Sequence, residues 1–189
     1  MGIVSRLKKF CFIDLRIIKY QFLSDCKRVS GKPILYFPIL ITGKGRVSIG
    51  KNFQNGVLNS TYFYTGYNNI SSRKEDSEVI IGDDVVFSNG VSIYAETKIT
   101  IEDKVLIGLN CFMIDSDGHE LSPDKRTTGT PGKAEILIKR NVLIFYNVMI
   151  LKGVTIGENS VIGSGSIVTK DIPANVFATG NPARVIRNL

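Results

Sequence analysis

The chain has 189 residues, of which 43% are hydrophobic and 22% charged, with 18 glycines and no tryptophan. This length provides one domain with a sizeable core and excludes two large domains, and the composition excludes a disordered polypeptide. The net charge is +7, from 24 Lys and Arg against 17 Asp and Glu, which suits an anionic partner. No Lys/Arg run interleaved with aromatic residues marks a nucleic-acid reader, so we expect no nucleic-acid partner.

Residues 1–30 form the first predicted element, a helix, and carry most of the net charge. Seven basic residues against two acidic ones give this segment a balance of +5. Apolar side chains recur every three or four positions, as one stripe of a helix requires: Val4, Leu7, Cys11, Leu15, Ile18 and Phe22. Further apolar residues widen that face: Phe10, Phe12, Ile13 and Ile17. The segment is predicted to rest on an anionic inner-leaflet surface or a glycan-assembly partner, or else to pack against the end of the following domain.

The cysteines and the N-terminus bear on the compartment. Cys11, Cys26 and Cys111 are widely spaced and fit neither a disulfide framework nor a zinc site, which favours a reducing compartment. Charged residues interrupt the N-terminal apolar stretch, so neither a signal peptide nor a membrane span is expected. We therefore expect a cytoplasmic protein, with residues 1–30 as the candidate contact to the inner membrane.

A six-residue repeat dominates the rest of the chain. In its C-terminal part an aliphatic residue occupies every sixth position: Ile138, Ile144, Ile150, Ile156, Ile162 and Val168. A small or β-branched residue follows each of the first five by four positions: Val142, Val148, Val154, Ser160 and Ser166. The same register runs upstream, with a two-residue insertion between its halves: Ile81, Phe87, Ile93, then Ile101, Ile107 and Met113.

Neither a strand nor a helix has a period of six, whereas short straight segments joined by tight corners do. Successive coils would then stack their aliphatic residues as a solenoid does. Glycine and asparagine residues are predicted to tolerate the corner dihedrals: Gly82, Gly108, Gly157, Gly163, Asn141 and Asn159.

Two stretches leave the register. A first coil is predicted at Ile49 and Phe53, followed by an excursion over about 55–78 and a second one over 115–135. Long loops inside compact repeats are usually functional. The predicted organisation is a helical segment at 1–30, a β-helix domain at 31–172 with these two excursions, and a C-terminal tail at 173–189.

Three segments carry a family resemblance: residues 138–144, residues 148–173 and the Gly-Asn-Pro-Ala-Arg-Val-Ile-Arg motif at 180–187. They resemble the hexapeptide-repeat acyltransferases of the sugar O-acetyltransferase type. The resemblance implies an all-β fold, a left-handed parallel β-helix, although parallel crossovers are usually right-handed. It also implies a homotrimer with the active site between neighbouring subunits, acetyl-CoA as the acyl donor, and a sugar or glycan precursor as the acceptor in polysaccharide biosynthesis.

His119 is the only histidine in the chain and lies in the second excursion, where the family has its catalytic histidine. Transfer of an acyl group to a hydroxyl requires a base, and imidazole suits that task near neutral pH. The resemblance therefore assigns His119 as the general base. Asp115 or Asp117 is predicted to hold its tautomer through the other ring nitrogen, or else to cap the loop.

For the donor, the resemblance implies contacts near the pantetheine arm and near the nucleotide phosphates: Ser164 and Gly165 for the first, Thr169, Lys170 and Arg184 for the second. Small residues let backbone amides approach the arm, and cations neutralise phosphate. The competing interpretation of Lys170 and Arg184 is solvated charge at the end of a coil. Asn89 matches the asparagine that binds the acceptor in the family.

One feature departs from the family: Phe145 and Tyr146 stand where the donor channel normally has small residues, so the channel is reshaped and the acyl group is open. A zinc hydratase on the same coil is excluded, because one histidine cannot supply three histidine ligands, and no metal is expected. An N-acetyltransferase of an amino sugar and a non-catalytic trimeric β-helix scaffold stay as alternatives to the O-acyltransferase.

Overall fold

The structure, a computed structural model, describes residues 3–189. Most of the chain winds through six coils, each built from three short strands. In chain order the coils are β1 (Arg28–Ser30), β2 (Ile34–Leu35), β3 (Ile39–Thr42); β4 (Arg46–Ile49), β5 (Gln54–Asn55), β6 (Asn68–Ser72); β7 (Glu78–Ile81), β8 (Val86–Phe87), β9 (Ser92–Ala95); β10 (Lys98–Ile101), β11 (Leu106–Ile107), β12 (Phe112–Ile114); β13 (Ile136–Ile138), β14 (Leu143–Ile144), β15 (Met149–Ile150); β16 (Thr155–Ile156), β17 (Val161–Ile162), β18 (Ile167–Val168).

Each strand pairs in parallel with the strand one coil away, which produces three sheets. Sheet A contains the first strand of every coil, sheet B the second and sheet C the third. The register keeps core positions aligned: Ile138 lies opposite Ile101 and Ile156, and Ile144 lies opposite Ile107 and Ile162. The fold is the predicted left-handed parallel β-helix.

The hexad residues fill the axis of the coil, which confirms the predicted repeat. Every aliphatic of the C-terminal run is fully buried: Ile138, Ile144, Ile150, Ile156, Ile162 and Val168. Burial of one such side chain contributes roughly 1.5–3 kcal/mol, so stacked coils stabilise one another. In the second and third coils two aromatic rings also enter the core, Phe87 at the aliphatic position of the hexad and Phe53 at the second position, and they meet edge to face at 4.8 Å.

The three edges of the coil are named here by the sheets they join, as the AB, BC and CA corners. Positive φ at the AB corner falls on Asn141 and Asn159, as predicted, but the named glycines do not adopt it. They are needed for close approach instead. A Cβ at Gly157 would lie 2.3 Å from the backbone nitrogen of Ala174, and one at Gly108 would lie 2.8 Å from the backbone of Phe145. Neighbouring coils leave no room there for a side chain.

Both excursions leave the coil at a corner. The first departs at the BC corner of the second coil, and the chain is back in register at Asn68 rather than at residue 78. The strand β6 that closes it has only Ile70 as a core aliphatic, so the hexad pattern does not reveal it. The second excursion covers residues 115–135 at the CA corner of the fourth coil, as predicted, and includes a short 3₁₀ turn at Pro123–Lys125.

The C-terminal segment, residues 173–189, contains a β-hairpin. Strand β19 (Val176–Gly180) adds to sheet B beside β17, and β20 (Ala183–Asn188) pairs with it antiparallel. The hairpin therefore extends sheet B beyond the last full coil. It places Arg184 opposite Thr179.

The N-terminal segment is helical, as predicted, and consists of α1 (Ile3–Lys9), a π-helical turn (Phe10–Asp14) and α2 (Leu15–Leu23). One face packs on the coil: Ile13 is buried with Phe37 of the first coil and Phe63 of the first excursion. The Arg16 guanidinium donates to three carbonyls of that excursion, including that of Phe63 at 3.0 Å. Tyr20 stacks on Tyr67 with ring centroids 4.4 Å apart.

The other face of this segment is exposed. It carries the predicted apolar stripe, of which Phe22 is 87% and Val4 is 68% exposed. No helix within residues 3–189 is long and apolar enough to cross a membrane.

Candidate functional site

His119 lies exposed on the second excursion, at the CA corner. Its Nδ1 is 3.0 Å from the carbonyl oxygen of Arg126. Because a carbonyl can only accept a hydrogen bond, Nδ1 carries the proton in the neutral ring and Nε2 keeps its lone pair. The loop thus fixes the tautomer that a general base requires, with the basic nitrogen directed away from the backbone contact.

Asp115 is fully buried at the root of the excursion. Its two oxygens accept the backbone N–H groups of Glu96 at 2.7 Å and Thr97 at 2.8 Å. Burial raises the pKa of this carboxyl, while the N–H donors oppose that shift. Both oxygens are directed at the coil below, so the geometry matches the loop-capping alternative rather than a contact with the imidazole.

Asp117 faces the coil above. Its Oδ2 lies 3.0 Å from Nζ of Lys152 in the fifth coil, and its N–H donates to the carbonyl of Gly132 at 2.9 Å. Within residues 3–189, no hydrogen bond joins Asp115 or Asp117 to His119. The backbone carbonyl of Arg126, which no side-chain pattern could reveal, takes the orienting role that the sequence assigned to an aspartate.

Asn89 lies at the BC corner, across sheet C from His119, and is fully buried. Its Oδ1 accepts the N–H of Val57 at 3.0 Å, and its Nδ2 donates to the carbonyls of Thr61 at 2.9 Å and Val57 at 3.4 Å. Both amide hydrogens are therefore committed to the first excursion. The structure gives Asn89 the task of anchoring that excursion beside the corner.

Phe145 and Tyr146 occupy the BC corner of the fifth coil and are 38% and 50% exposed. Their rings meet edge to face at 6.3 Å. With Leu106 and Val57 they line a groove of about 200 Å³ on the outer face of sheet B. The aromatic pair thus lines an apolar surface groove.

The predicted donor residues lie on the last coil and the hairpin, and all are exposed. Ser164 and Gly165 form the BC corner, where Gly165 has φ +72° and open space around it. Thr169 and Lys170 form the CA corner of the same coil. Arg184 lies on β20 at the end of sheet B, where its guanidinium donates to the carbonyl of Ala183 at 2.7 Å.

The site residues thus fall into two groups on opposite edges of sheet C. We call them the CA half-site (Asp117, His119, Thr169, Lys170) and the BC half-site (Asn89, Phe145, Tyr146, Ser164, Gly165). In the last coil the two edges are four residue steps apart, from Gly165 to Thr169, which is roughly 13 Å. One chain does not bring the groups together, although each group is aligned along its own edge.

The described residues form neither a reactive cysteine site at Cys111 nor a metal centre. Burial raises the pKa of the Cys111 thiol to about 11, and its Sγ donates to the carbonyl of Phe145 at 3.0 Å, so Cys111 is a core residue with little thiolate at neutral pH. Among residues 3–189, no three His, Cys, Asp or Glu side chains gather in a metal-binding arrangement.

The sequence of this chain is similar to a hexapeptide-repeat family model and to acetyltransferase sequences. The bacterial transferase hexapeptide family (six repeats) matches residues 135–170. The galactoside O-acetyltransferase of Escherichia coli is 44% identical over 113 residues, which are 60% of this chain and 55% of that enzyme. The chain spans about half the length of the curated relatives that it matches.

Comparison with solved structures agrees. The polySia-specific acetyltransferase NeuO superposes with a TM-score of 0.66 at 29% identity, covering 85% of this chain and 70% of its own. A galactoside acetyltransferase in complex with coenzyme A gives 0.56 at 33% identity, covering 85% of this chain and 64% of its own. The matched repeat, the sequence relatives and the solved structures agree: the chain is similar to hexapeptide-repeat acetyltransferases.

Proposed function

We propose that the protein is an acyl-CoA-dependent O-acyltransferase that transfers acetyl from acetyl-CoA to a hydroxyl of a sugar or glycan precursor. The observation that carries the proposal is the state of His119, whose Nδ1–H is held by the Arg126 carbonyl and whose Nε2 makes no hydrogen bond within residues 3–189. A ring fixed in this way on an exposed loop serves proton transfer rather than packing. The groove beside Phe145 is where the acyl chain would lie, and its aromatic lining leaves the length of that chain open.

The proposed reaction is a direct transfer. Nε2 of His119 removes the proton of the acceptor hydroxyl as its oxygen attacks the thioester carbonyl. Backbone N–H groups lining the groove stabilise the oxyanion. The C–S bond then breaks, the new ester keeps the acyl group, and the proton passes from the imidazolium to the CoA thiolate.

A complete site requires a second subunit, since the two half-sites lie on opposite edges of sheet C. Placing the CA corner of one chain against the BC corner of the next repeats the same contact around a ring, and three copies close it. The outer surfaces support this arrangement. Sheet A carries the charged chain Arg46, Glu78 and Lys98, whereas apolar side chains such as Leu106 (45% exposed) and Met149 (37% exposed) lie on sheets B and C. We therefore propose a homotrimer with three shared sites.

Subunit mixing tests the shared site. His119→Ala removes the CA half-site, and Ser164→Trp blocks the BC half-site at an exposed position. In co-expressed trimers of these two inactive chains, a site is intact when the first half comes from one chain and the second from the other, so activity should recover to about one quarter of the wild-type level. Recovery is absent if each chain holds a whole site. A monomeric mass by light scattering with activity retained would also overturn the trimer.

Measurement of CoA release with a panel of sugars tests the chemistry. Acetyl-CoA with a hydroxylated sugar should release CoA and give a product that hydroxylamine cleaves, as an ester requires. A hydroxylamine-resistant product from an amino sugar would show N-acetylation instead. No CoA release with any acceptor from a folded trimer would favour the non-catalytic scaffold.

The exposed helical stripe supports a contact with an anionic membrane surface, on which the protein would rest while acting on glycan intermediates. The stripe is apolar, and the same segment has a balance of +5; amphipathic helices with this combination bind anionic interfaces. Flotation with phosphatidylglycerol vesicles at low salt should recover the protein, and Phe22→Ser should reduce the recovered fraction. Failure to float, with Phe22→Ser altering the oligomeric mass, would assign the stripe to a subunit contact.

A further inference from the structure

A cavity lies away from both half-sites, at the CA corner of the first two coils. Its volume is about 660 Å³. Four cationic and two carboxylate side chains line it: Lys27, Arg28, Lys44 and Arg73, with Asp25 and Glu75. The lining therefore has an excess of two positive charges.

The four cationic side chains of this cavity differ in the contacts that they make within the protein. Arg28 donates to the backbone carbonyls of Lys44 and Glu75 and so ties two coils together. Arg73 lies 3.7 Å from Glu96, which is too long for a strong hydrogen bond. Lys27 and Lys44 make no side-chain hydrogen bond or ion pair with any residue between 3 and 189. Asp25 accepts the N–H of Gly43 at 3.0 Å, and with Glu75 it leaves the lining its excess of two positive charges.

The turn that carries Lys44 is tightly built. Gly43 has φ +104°, and a Cβ there would lie 2.0 Å from the carbonyl oxygen of Ser72. A Cβ at Gly45 would meet the Ser72 hydroxyl at 2.1 Å, in a corner where the Ser72 and Ser77 hydroxyls are joined at 2.9 Å. The two glycines seat the turn directly on the next coil. Lys44, at its tip, therefore projects from a fixed backbone.

The cavity is on the same edge as His119, two to three coils nearer the N-terminus than the excursion. The corners are joined stepwise: Arg73 N–H donates to the Ala95 carbonyl at 2.8 Å, and Glu96 N–H donates to Asp115 at the root of the excursion at 2.7 Å. Two coil steps from Arg73 to Asp115 are about 10 Å. The donor residues lie on the other side of His119, on the last coil, so the cavity faces the side left for the acceptor.

We propose that this cavity is a subsite for an oxyanion of the acceptor, a carboxylate or a phosphate carried some distance along the glycan from the acylated hydroxyl. The proposal rests on the function proposed above and adds the substrate class, an acidic glycan or glycan phosphate. Lys27, Lys44 and Arg73 supply the charge, since cations with free N–H donors bind oxyanions through charge-assisted hydrogen bonds. Arg28 holds the wall of the subsite.

Measuring the binding of acceptor analogues in the absence of acetyl-CoA tests the subsite independently of catalysis. Isothermal titration compares two matched pairs on the trimer: trigalacturonate with its methyl ester, and a maltotriose phosphate with maltotriose. Wild-type protein should prefer the charged member of the pair whose anion is recognised, and added salt should weaken that preference. The pair that shows the preference identifies carboxylate or phosphate as the ligand.

Substitutions then show whether the cavity residues are responsible for the preference for the charged ligand. Lys27→Ala combined with Lys44→Ala should lower the charged-to-neutral affinity ratio roughly tenfold, the worth of one strong charged hydrogen bond, and Arg73→Gln should lower it independently. Lys139→Ala removes the same charge from an exposed residue near the AB corner and should leave the ratio unchanged. No charge preference in wild type, or a preference that survives both cavity variants, would overturn the subsite. Charge-dependent binding without CoA release with any acceptor would instead overturn the acyl transfer and leave the subsite standing.

Discussion

The turn at the AB corner repeats from one coil to the next at the C-terminal end, whereas the turns at the CA corner differ between coils. At the AB corner, Asn141, Asn159 and Asn175 each adopt positive φ, and their side chains form a ladder with N···O distances of 2.9 Å. At the CA corner no such ladder forms. The second excursion leaves there, and the buried Asp115 caps the coil below it with two N–H bonds.

This difference indicates that the two corners of the same β-helix have different roles. In the last coils, an asparagine ladder closes the turn with local hydrogen bonds and presents the same side chain at each level. The CA corner varies from level to level, and its side chains are free to meet other molecules: Lys44, Arg73, His119 and Lys170 from the first coil to the last. We infer that the AB corner stabilises the coil and that the CA corner carries the catalytic residue. Substitutions at the two corners should therefore differ in their effects on turnover and on stability.

The largest expected effect is at His119. His119→Ala should lower kcat by roughly 10² to 10⁴, the usual contribution of a positioned acid–base group, because His119 carries the only imidazole of the excursion. The thermal midpoint and the trimer mass should not change, since the ring is exposed and fills no core space. Steady-state kinetics with saturating acetyl-CoA measure the loss.

Asp124→Ala is the matched control for His119, because Asp124 lies on the same excursion in its 3₁₀ turn. It should keep nearly normal turnover. A folded His119→Ala trimer with near-normal kcat would remove the general-base assignment and the main reason for placing catalysis at the CA corner.

A smaller effect is expected at Lys170. Lys170→Ala should raise KM for acetyl-CoA roughly tenfold with a lesser change in kcat, since a phosphate contact acts on binding in the ground state and transition state alike. Lys139→Ala, near the AB corner, removes the same charge and should leave KM unaltered. Equal effects of the two substitutions would indicate general electrostatic attraction of the donor, and the two corners would then be equivalent.

The regular parts of this molecule could be predicted from its sequence, because a repeat states the same physical requirement many times. The buried aliphatics at 138, 144 and 150 each specify one inward position of one strand. The extent of the second excursion, 115–135, follows from where that pattern stops and resumes. The chain supplies a single histidine within it, which left one candidate base.

The features that could not be predicted depend on backbone atoms or on single, unrepeated contacts. The partner of His119 is the carbonyl of Arg126, and every residue has a carbonyl. Asn89 matched an acceptor-binding position, yet three backbone groups of the first excursion hold its amide. Strand β6 is mostly polar, and its buried Asn68 is satisfied by Asn55 and the Ser88 carbonyl at 2.8 Å. Such pairings need tertiary structure before they can be seen.

At the AB corner the expected effect is on stability alone. Asn159→Ala should lower the free energy of unfolding by about 1–2 kcal/mol, from left-handed backbone strain and two lost side-chain hydrogen bonds. Asn159→Gly relieves the strain but not the lost bonds, so its stability should fall between those of the alanine variant and the wild type. Calorimetry gives the order, and kcat should stay constant throughout. A drop in kcat at unchanged stability would show that the AB corner also takes part in catalysis.

The smallest effect is expected inside the coil, at Cys111. With its pKa raised to about 11, only about one thiol in a thousand is ionised at pH 8, and the side chain is 1% exposed. Iodoacetamide at pH 8 should therefore label the exposed Cys11 and spare Cys111 in the folded protein, as mass spectrometry of peptides can show. Cys111→Ala should keep kcat within about twofold, because the proposed transfer passes through no enzyme thiol. Loss of activity in step with labelling of Cys111 would require a covalent acyl-cysteine, and catalysis would then belong to the coil interior rather than to either corner.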